Sequence, residues 1–227
     1  MKKISAIICA YNEESTIKDV VTTVSDYFFD EVIVVNDGST DKTDSILKEI
    51  NDLWYFKYIV LPENKGKGFA MATGIENASS EIIVFIDADL SNLQEDHLDQ
   101  LITPVFYEEA EMVLGQPTDT LIKSSVNPFK PLTGQRALLK NDVLPLLDKM
   151  KNSRFGVETL INLYYQSEGK CIKYVMLNGL KHPTKFDKTS TPQAMKEFAF
   201  AGHQIALTAV KNFDLITKTI KNTILKM

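Results

Sequence analysis

The sequence predicts an α/β fold, a mostly parallel sheet with helices on both faces. Three observations predict it. Strand-length apolar runs alternate with helical apolar spacing through roughly the first 115 residues. The runs are continuously apolar, as in Ile82-Ile83-Val84-Phe85-Ile86, so both faces of each strand are covered. Four successive runs end in polar, chemically capable residues, where open parallel sheets place their ligands.

The elements follow in order. Ile4–Ala10 reads as the first strand, after which Ile17, Val20, Val21 and Val24 recur at helical spacing. Glu31–Val35 is the second strand. Ser39 or Asp41 caps the next helix, whose apolar face is Ile46, Leu47, Ile50 and Leu53. Tyr58–Leu61 is the third strand, and residues 68–78 form a helix carrying Ala70, Met71, Ile75 and Ala78. Glu81–Ile86 is the fourth strand. Leu98, Leu101, Ile102, Val105 and Phe106 mark a helix, and Met112–Gly115 a short strand. Pro117, Pro128 and Pro131 make residues 116–133 a long loop, a length that usually serves function. Gln135–Lys140 reads as a strand. Val143, Leu144, Leu146 and Leu147 read as a short helix. Gly156-Val157-Glu158 opens a helix running through Tyr164, and Cys171–Leu177 is a strand. From residue 192 the spacing is helical almost to the end.

Composition bounds the function. With 227 residues, 44% hydrophobic and 24% charged, the chain suffices for one domain with a full core. A net charge of -5 excludes a broad nucleic-acid surface. The short apolar stretch before Tyr11 is a strand rather than a signal peptide, and no run is long enough to cross a bilayer. The expectation is a cytoplasmic protein, soluble or peripheral at the inner face of the membrane. Cys9 and Cys171 open or occupy apolar runs and read as two buried free thiols. Lys211, Lys218, Lys221 and Lys226 decorate the last helical segment. Two readings of it stay open: a basic amphipathic helix on an anionic membrane surface, or a helix packed on its own domain or on a partner subunit of a homodimer.

The strand ends carry the chemistry. Asp87 and Asp89 stand two apart after the fourth strand, so a continued strand would point them to one side. Neighbouring acids repel unless a cation or a hydrogen-bonding ligand lies between them. Oxygen ligands suit Mg2+ or Mn2+, which commonly take one or two carboxylates plus substrate phosphates. Tyr11-Asn12-Glu13-Glu14, Asn36-Asp37-Gly38-Ser39 and Glu63-Asn64-Lys65-Gly66-Lys67-Gly68 close the other three strands. Each alone is ordinary turn chemistry; together they outline one nucleotide site. No Gly-x-Gly-x-x-Gly follows the first strand, which argues against a nicotinamide dehydrogenase. Tyr-Asn-Glu-Glu also stands where a nucleotidyltransferase would carry a glycine-rich loop.

These four blocks, in this order over roughly the first 90 residues, resemble the family 2 glycosyltransferases with a GT-A fold. The resemblance implies a GT-A domain over residues 1–190, with a nucleotide-sugar half at 1–115 and an acceptor half at 116–190. A C-terminal amphipathic helix at 191–227 follows. It implies that Ala10, Tyr11 and Glu13 contact the nucleotide, that Asp37 accepts from a uracil ring, and that Lys67 lies near the nucleotide. Asp87 then faces the ribose, and Asp89 is the ligand of Mg2+ or Mn2+, with His182 as a further metal ligand. Asn36 departs from the second Asp of many members. Pro131–Arg136 and Phe155–Glu158 are similar to segments of the glucosyl-phosphoglycerate and mannosylglycerate synthase group. There Glu158 is either the base that deprotonates the acceptor or a ligand of the acceptor or sugar, and Arg136 meets an acceptor phosphate or carboxylate. His97 and His203 read as structural. The implied activity is hexosyl transfer from a nucleotide-sugar donor, UDP-glucose or a similar one, to a small anionic or lipid acceptor. Two alternatives are a GDP-mannose-using transferase of the polyprenyl-phosphate type and a catalytically degenerate protein that binds nucleotide or a partner.

Overall fold

Seven strands form one sheet in the order β3-β2-β1-β4-β6-β5-β7. The computed structural model describes residues 2–119, 133–153, 156–181, 202 and 206–225. The strands are β1 (Ile4–Ala10), β2 (Glu31–Asn36), β3 (Lys57–Val60), β4 (Ile82–Asp87), β5 (Met112–Asp119), β6 (Arg136–Leu139) and β7 (Ile172–Lys181). All pair in parallel except β6, which runs antiparallel between β4 and β5. The helices are α1 (Ile17–Asp26), α2 (Thr43–Asn51), α3 (Lys67–Asn77), α4 (Glu95–Phe106), α5 (Lys140–Val143), α6 (Leu147–Lys151), α7 (Val157–Ser167) and α8 (Phe213–Leu225).

Successive strand residues feed two separate cores, because side chains alternate across a strand. Ile8, Val34, Val84 and Ile86 face the layer of α1, α2 and α4. Ile7, Ile33, Val35, Ile83 and Phe85 face the layer of α3, α6 and α7. This double burial is why the strands read as unbroken apolar runs. The register sets the site: Cys9 lies beside Asp87 on one side and Val35 on the other, and Ala10 beside Asn36. The C-terminal ends of β1, β2 and β4 are therefore level.

The structure corrects several expectations. β4 ends on Asp87, and Asp89 sits in the turn beyond it, so the two acids do not share a strand face. β5 continues to Asp119, well past Gly115, because β7 pairs with it along that length. β7 likewise runs to Lys181 rather than stopping at Leu177. Leu53 lies beyond the end of α2 and is 75% exposed. Neither expected residue is the formal N-cap of α2, although Asp41 Oδ1 accepts the Thr43 amide at 3.0 Å. Cys171 is exposed at the start of β7, and Cys9 is partly buried. His97, read as structural, is buried in α4. Its Nδ1 accepts the Gln94 amide at 3.2 Å, and Nε2 lies 2.9 Å from the Asn178 carbonyl, tying α4 to β7.

The described part of the terminal helix lies on its own domain. Leu215 joins the core of α3 and α7, Lys218 pairs with Glu168 at 2.7 Å, and Asn222 Nδ2 donates to the Ser167 carbonyl at 2.7 Å. No helix among the described residues is long and apolar enough to cross a membrane. His203 falls outside the described residues.

Candidate active site

The loops after β1 and β2 are laced into one rim. Asn12, in a left-handed conformation at φ 57°, donates its amide to Ser39 Oγ at 3.0 Å and accepts the Thr40 amide on Oδ1 at 2.8 Å. The Glu13 amide donates to Thr43 Oγ1 at 2.9 Å, and Glu14 Oε2 accepts the Lys42 amide at 3.0 Å. These bonds fix the backbone that follows Tyr11, which stays 44% exposed at the rim. Ala10 is buried beneath it, its carbonyl accepting the Asp37 amide at 2.8 Å. Glu13 is half-buried.

Asp37 organises the third loop. Its Oδ1 accepts the Lys65 amide at 2.8 Å and its Oδ2 the Gly66 amide at 2.9 Å. Gly38 follows at φ 70°, and a Cβ there would lie 2.4 Å from the Glu63 carbonyl carbon. Only glycine meets both demands, a left-handed turn and backbone contact. Asn36 explains its own departure from Asp. Oδ1 accepts the Ser39 amide at 3.0 Å, while Nδ2 donates to Tyr58 Oη at 2.9 Å, which itself donates to Asp44 at 2.7 Å. The position needs one acceptor and one donor, which an amide supplies and a carboxylate does not.

Lys67 opens α3 and gathers the acids. Its Nζ lies 2.7 Å from Asp87 Oδ1 and 2.6 Å from Glu158 Oε1. Glu158 comes from the first turn of α7, 91 residues downstream. Burial works against the ammonium, but Asp87 and Glu158 more than reverse that, so the Lys67 pKa is held above its ordinary value. The Cys9 thiol, beside Asp87 in the register, is pushed up to about 12, chiefly by burial.

Arg136 is placed differently from its expected role. It is 0% exposed, so it presents no fork to solvent. Its guanidinium donates to the Thr133 carbonyl and to Asn162 Oδ1, and its Nε has no hydrogen-bond partner. Burial lowers its pKa, and Glu158 and Asp87 oppose that. The sheet register sets it beside Phe85, two residues before Asp87, so it backs the acid cluster from within the sheet.

The region around Asp89 is tied to the end of β7. Ser91, two residues on, exchanges both backbone hydrogen bonds with Lys181, at 2.9 and 3.0 Å. His182 follows Lys181 directly and lies outside the described residues. Among the described residues no three His, Cys, Asp or Glu side chains converge on one point. Asp87 is committed to Lys67 and Gln135. Asp89, in the turn after β4, is an oxygen donor of the kind a hard divalent ion takes alongside phosphate oxygens and water.

Sequence reasoning picked out Gly134 and Gln135 only as members of the Pro131–Arg136 segment and gave neither a role beside Asp87. Gln135 Nε2 donates to Asp87 Oδ2 at 2.8 Å, and a Cβ on Gly134 would lie 2.1 Å from Asp87 Oδ1. Both precede β6, a strand that the sequence announces, but whose antiparallel place beside β4 apolar periodicity does not give.

The profile of glycosyl transferase family 2 matches residues 5–149, more than half of the chain. This chain belongs to that family. A UDP-N-acetylglucosamine–dolichyl-phosphate N-acetylglucosaminyltransferase of Methanococcus voltae is 35% identical over 130 residues, covering 50% of this chain and 51% of that protein. A poly-beta-1,6-N-acetyl-D-glucosamine synthase of Staphylococcus epidermidis is 39% identical over 88 residues, 38% of this chain and 21% of that protein. The chain thus spans only about half or a fifth of these relatives' lengths. Glucosyl-3-phosphoglycerate synthase from Mycobacterium tuberculosis, solved with Mn2+, UDP and phosphoglyceric acid, superposes with a TM-score of 0.73. At 23% identity, over 92% of this chain and 78% of that one, the likeness establishes the shared GT-A fold.

Proposed function

We propose that this chain transfers a hexose from a UDP-linked donor, with the help of a divalent metal, to an acceptor hydroxyl. The observation that carries the reading is the meeting of Lys67, Asp87 and Glu158 at the level ends of β1, β2 and β4. One cation between two acids at the carboxyl edge of a parallel sheet suits a nucleotide diphosphate and an attacking hydroxyl together. The family membership supports it. So do a structural relative solved with UDP-glucose and Mn2+ and a sequence relative named for UDP-N-acetylglucosamine.

The roles divide among this chain's own residues. Tyr11 offers its exposed ring to the base, and Asp37 presents a carboxylate at the floor of the same loop. Asp87, steadied by Lys67, faces the ribose. Asp89 would hold Mg2+ or Mn2+, with His182, the next residue in sequence after Lys181, as the further ligand that the family resemblance implies. When bound, the ion supplies charge neutralisation to the departing diphosphate. Glu158 is oriented by Lys67 toward the acceptor side, where it receives the acceptor hydroxyl or holds the sugar. Arg136 serves this reading from behind, as a buried positive charge that offsets the two acids. The acceptor is a small anion or a lipid phosphate, the kinds named for the structural and the sequence relative.

Calorimetry with UDP and Mn2+ tests the reading, followed by hydrolysis and transfer assays on UDP-glucose and UDP-N-acetylglucosamine. Wild-type protein should bind UDP only with the metal, and Asp89→Ala should lose that binding. Equal UDP affinity in both proteins sinks the assignment of Asp89.

A further inference from the structure

The acid on which this site turns is held from a direction that none of the nucleotide loops supplies. Gln135 is 1% exposed and aims its amide at Asp87. A carboxylate oxygen only accepts, so the group 2.8 Å from Asp87 Oδ2 is the NH2 of Gln135. That leaves Gln135 Oε1 facing Thr133, whose hydroxyl lies 2.6 Å from it and 2.6 Å from the Gly115 carbonyl. Asp87 thus fixes the amide orientation, and the single Thr133 proton supports it when it goes to Oε1 rather than to the Gly115 carbonyl. The Gln135 backbone is fixed as well, its carbonyl accepting the Gly115 amide at 2.9 Å. Between these two residues, Gly134 leaves the space the acid occupies.

We infer that Gln135, oriented by Thr133, is a positioning residue that fixes the Asp87 carboxylate for the nucleotide donor. Lys67 holds Oδ1 and Gln135 holds Oδ2, so the plane of the carboxylate is set by two donors on different elements. Lys67 also answers to Glu158, whereas the buried amide of Gln135 gives Asp87 Oδ2 a donor of its own. Donor binding then meets an acid already in place, without the loss of side-chain entropy at the moment of binding. The role assigned to the donor rests on the glycosyl-transfer reading above; the clamp itself does not.

Two measurements test it on the full chain. In calorimetry with UDP and Mn2+, Gln135→Met keeps the side-chain length and loses the donor. It should weaken UDP binding roughly tenfold, the value of about one charge-assisted hydrogen bond. Thr133→Val should weaken it in the same direction, and Thr133→Ser, which keeps the hydroxyl, should restore it. In transfer assays the defect should fall on the donor KM more than on kcat. Wild-type affinity in Gln135→Met overturns the proposal, as does Thr133→Ser failing to recover what Thr133→Val loses. Thermal unfolding of Gln135→Met, Asp87→Asn and the double variant reads the clamp without any ligand. Shifts smaller than additive in the double variant support it, and additive shifts overturn it. If the wild type binds no UDP, the glycosyl-transfer reading falls, and the unfolding cycle alone decides the clamp.

Discussion

Replacing Lys67 with Met removes the cation and leaves Asp87 and Glu158 facing each other. Their nearest oxygens lie 2.7 and 2.6 Å from the same nitrogen, so they are within about 5 Å of one another. Two like charges at that distance, at an effective dielectric near 20, repel by about 3 kcal/mol. The acid side chains are only 12% and 13% exposed, so solvent screens them little. Some of the repulsion relaxes as the side chains turn apart, leaving a loss of about 2–3 kcal/mol. For a chain of this size that lowers Tm by roughly 4–12 °C. The diagnostic measurement is a thermal-unfolding cycle with Glu158→Gln near pH 7. In the wild-type background Glu158→Gln strips Lys67 of a partner and destabilises. In the Lys67→Met background it removes the repulsion and stabilises. A change of the same sign and size in both backgrounds refutes the electrostatic reasoning, because it means that the three groups do not interact.

Three further outcomes are expected. Gly38→Ala should cost at least about 1–2 kcal/mol by thermal unfolding, the price of a left-handed non-glycine residue, before the contact with Glu63 is added. Timed alkylation at pH 8, read by mass spectrometry, should label exposed Cys171 long before Cys9, whose thiol at about 12 is about one part in ten thousand thiolate there. The Asp44 carboxyl is held below its usual range by Lys48 and then Tyr58, so its stabilisation is complete above the unfolded-state pKa and lost as pH falls through the folded one. Urea unfolding between about pH 5 and pH 3 should therefore show a shallower loss for Asp44→Asn than for the wild type.

The central strands β1, β2 and β4 were legible because both of their faces are buried, and double burial writes a continuous apolar run. The polar strand ends were legible for a related reason, since open parallel sheets concentrate chemistry at their carboxyl edges. Asp37, Lys67 and Asp87 could be picked out as one group before any coordinates. Asp89 could be named, but its place in a turn rather than on the strand could not. Whether a chain leaves the strand at Asp87 or two residues later depends on what pairs with it, and β6 pairs with β4 only through Phe85. The terminal helix is a similar case. Its apolar spacing showed that one face would be covered, and only the contacts of Leu215, Lys218 and Asn222 showed that α7 lies against the described part.

By itself, then, the sequence determined the layered α/β architecture, the strand ends at which polar residues gather and the family to which the chain belongs. Those properties are written in local periodicity and in short blocks of adjacent residues. The tertiary structure alone decided the partnerships. It set Glu158 on Lys67 across 91 positions and sank Arg136 into the sheet. It also brought Gln135 to Asp87 across 48 positions, by inserting one antiparallel strand. The distance along the chain is too great for any local pattern to record those contacts. The energy that fixes them belongs to buried charge, which acquires its partners only when the whole sheet has closed.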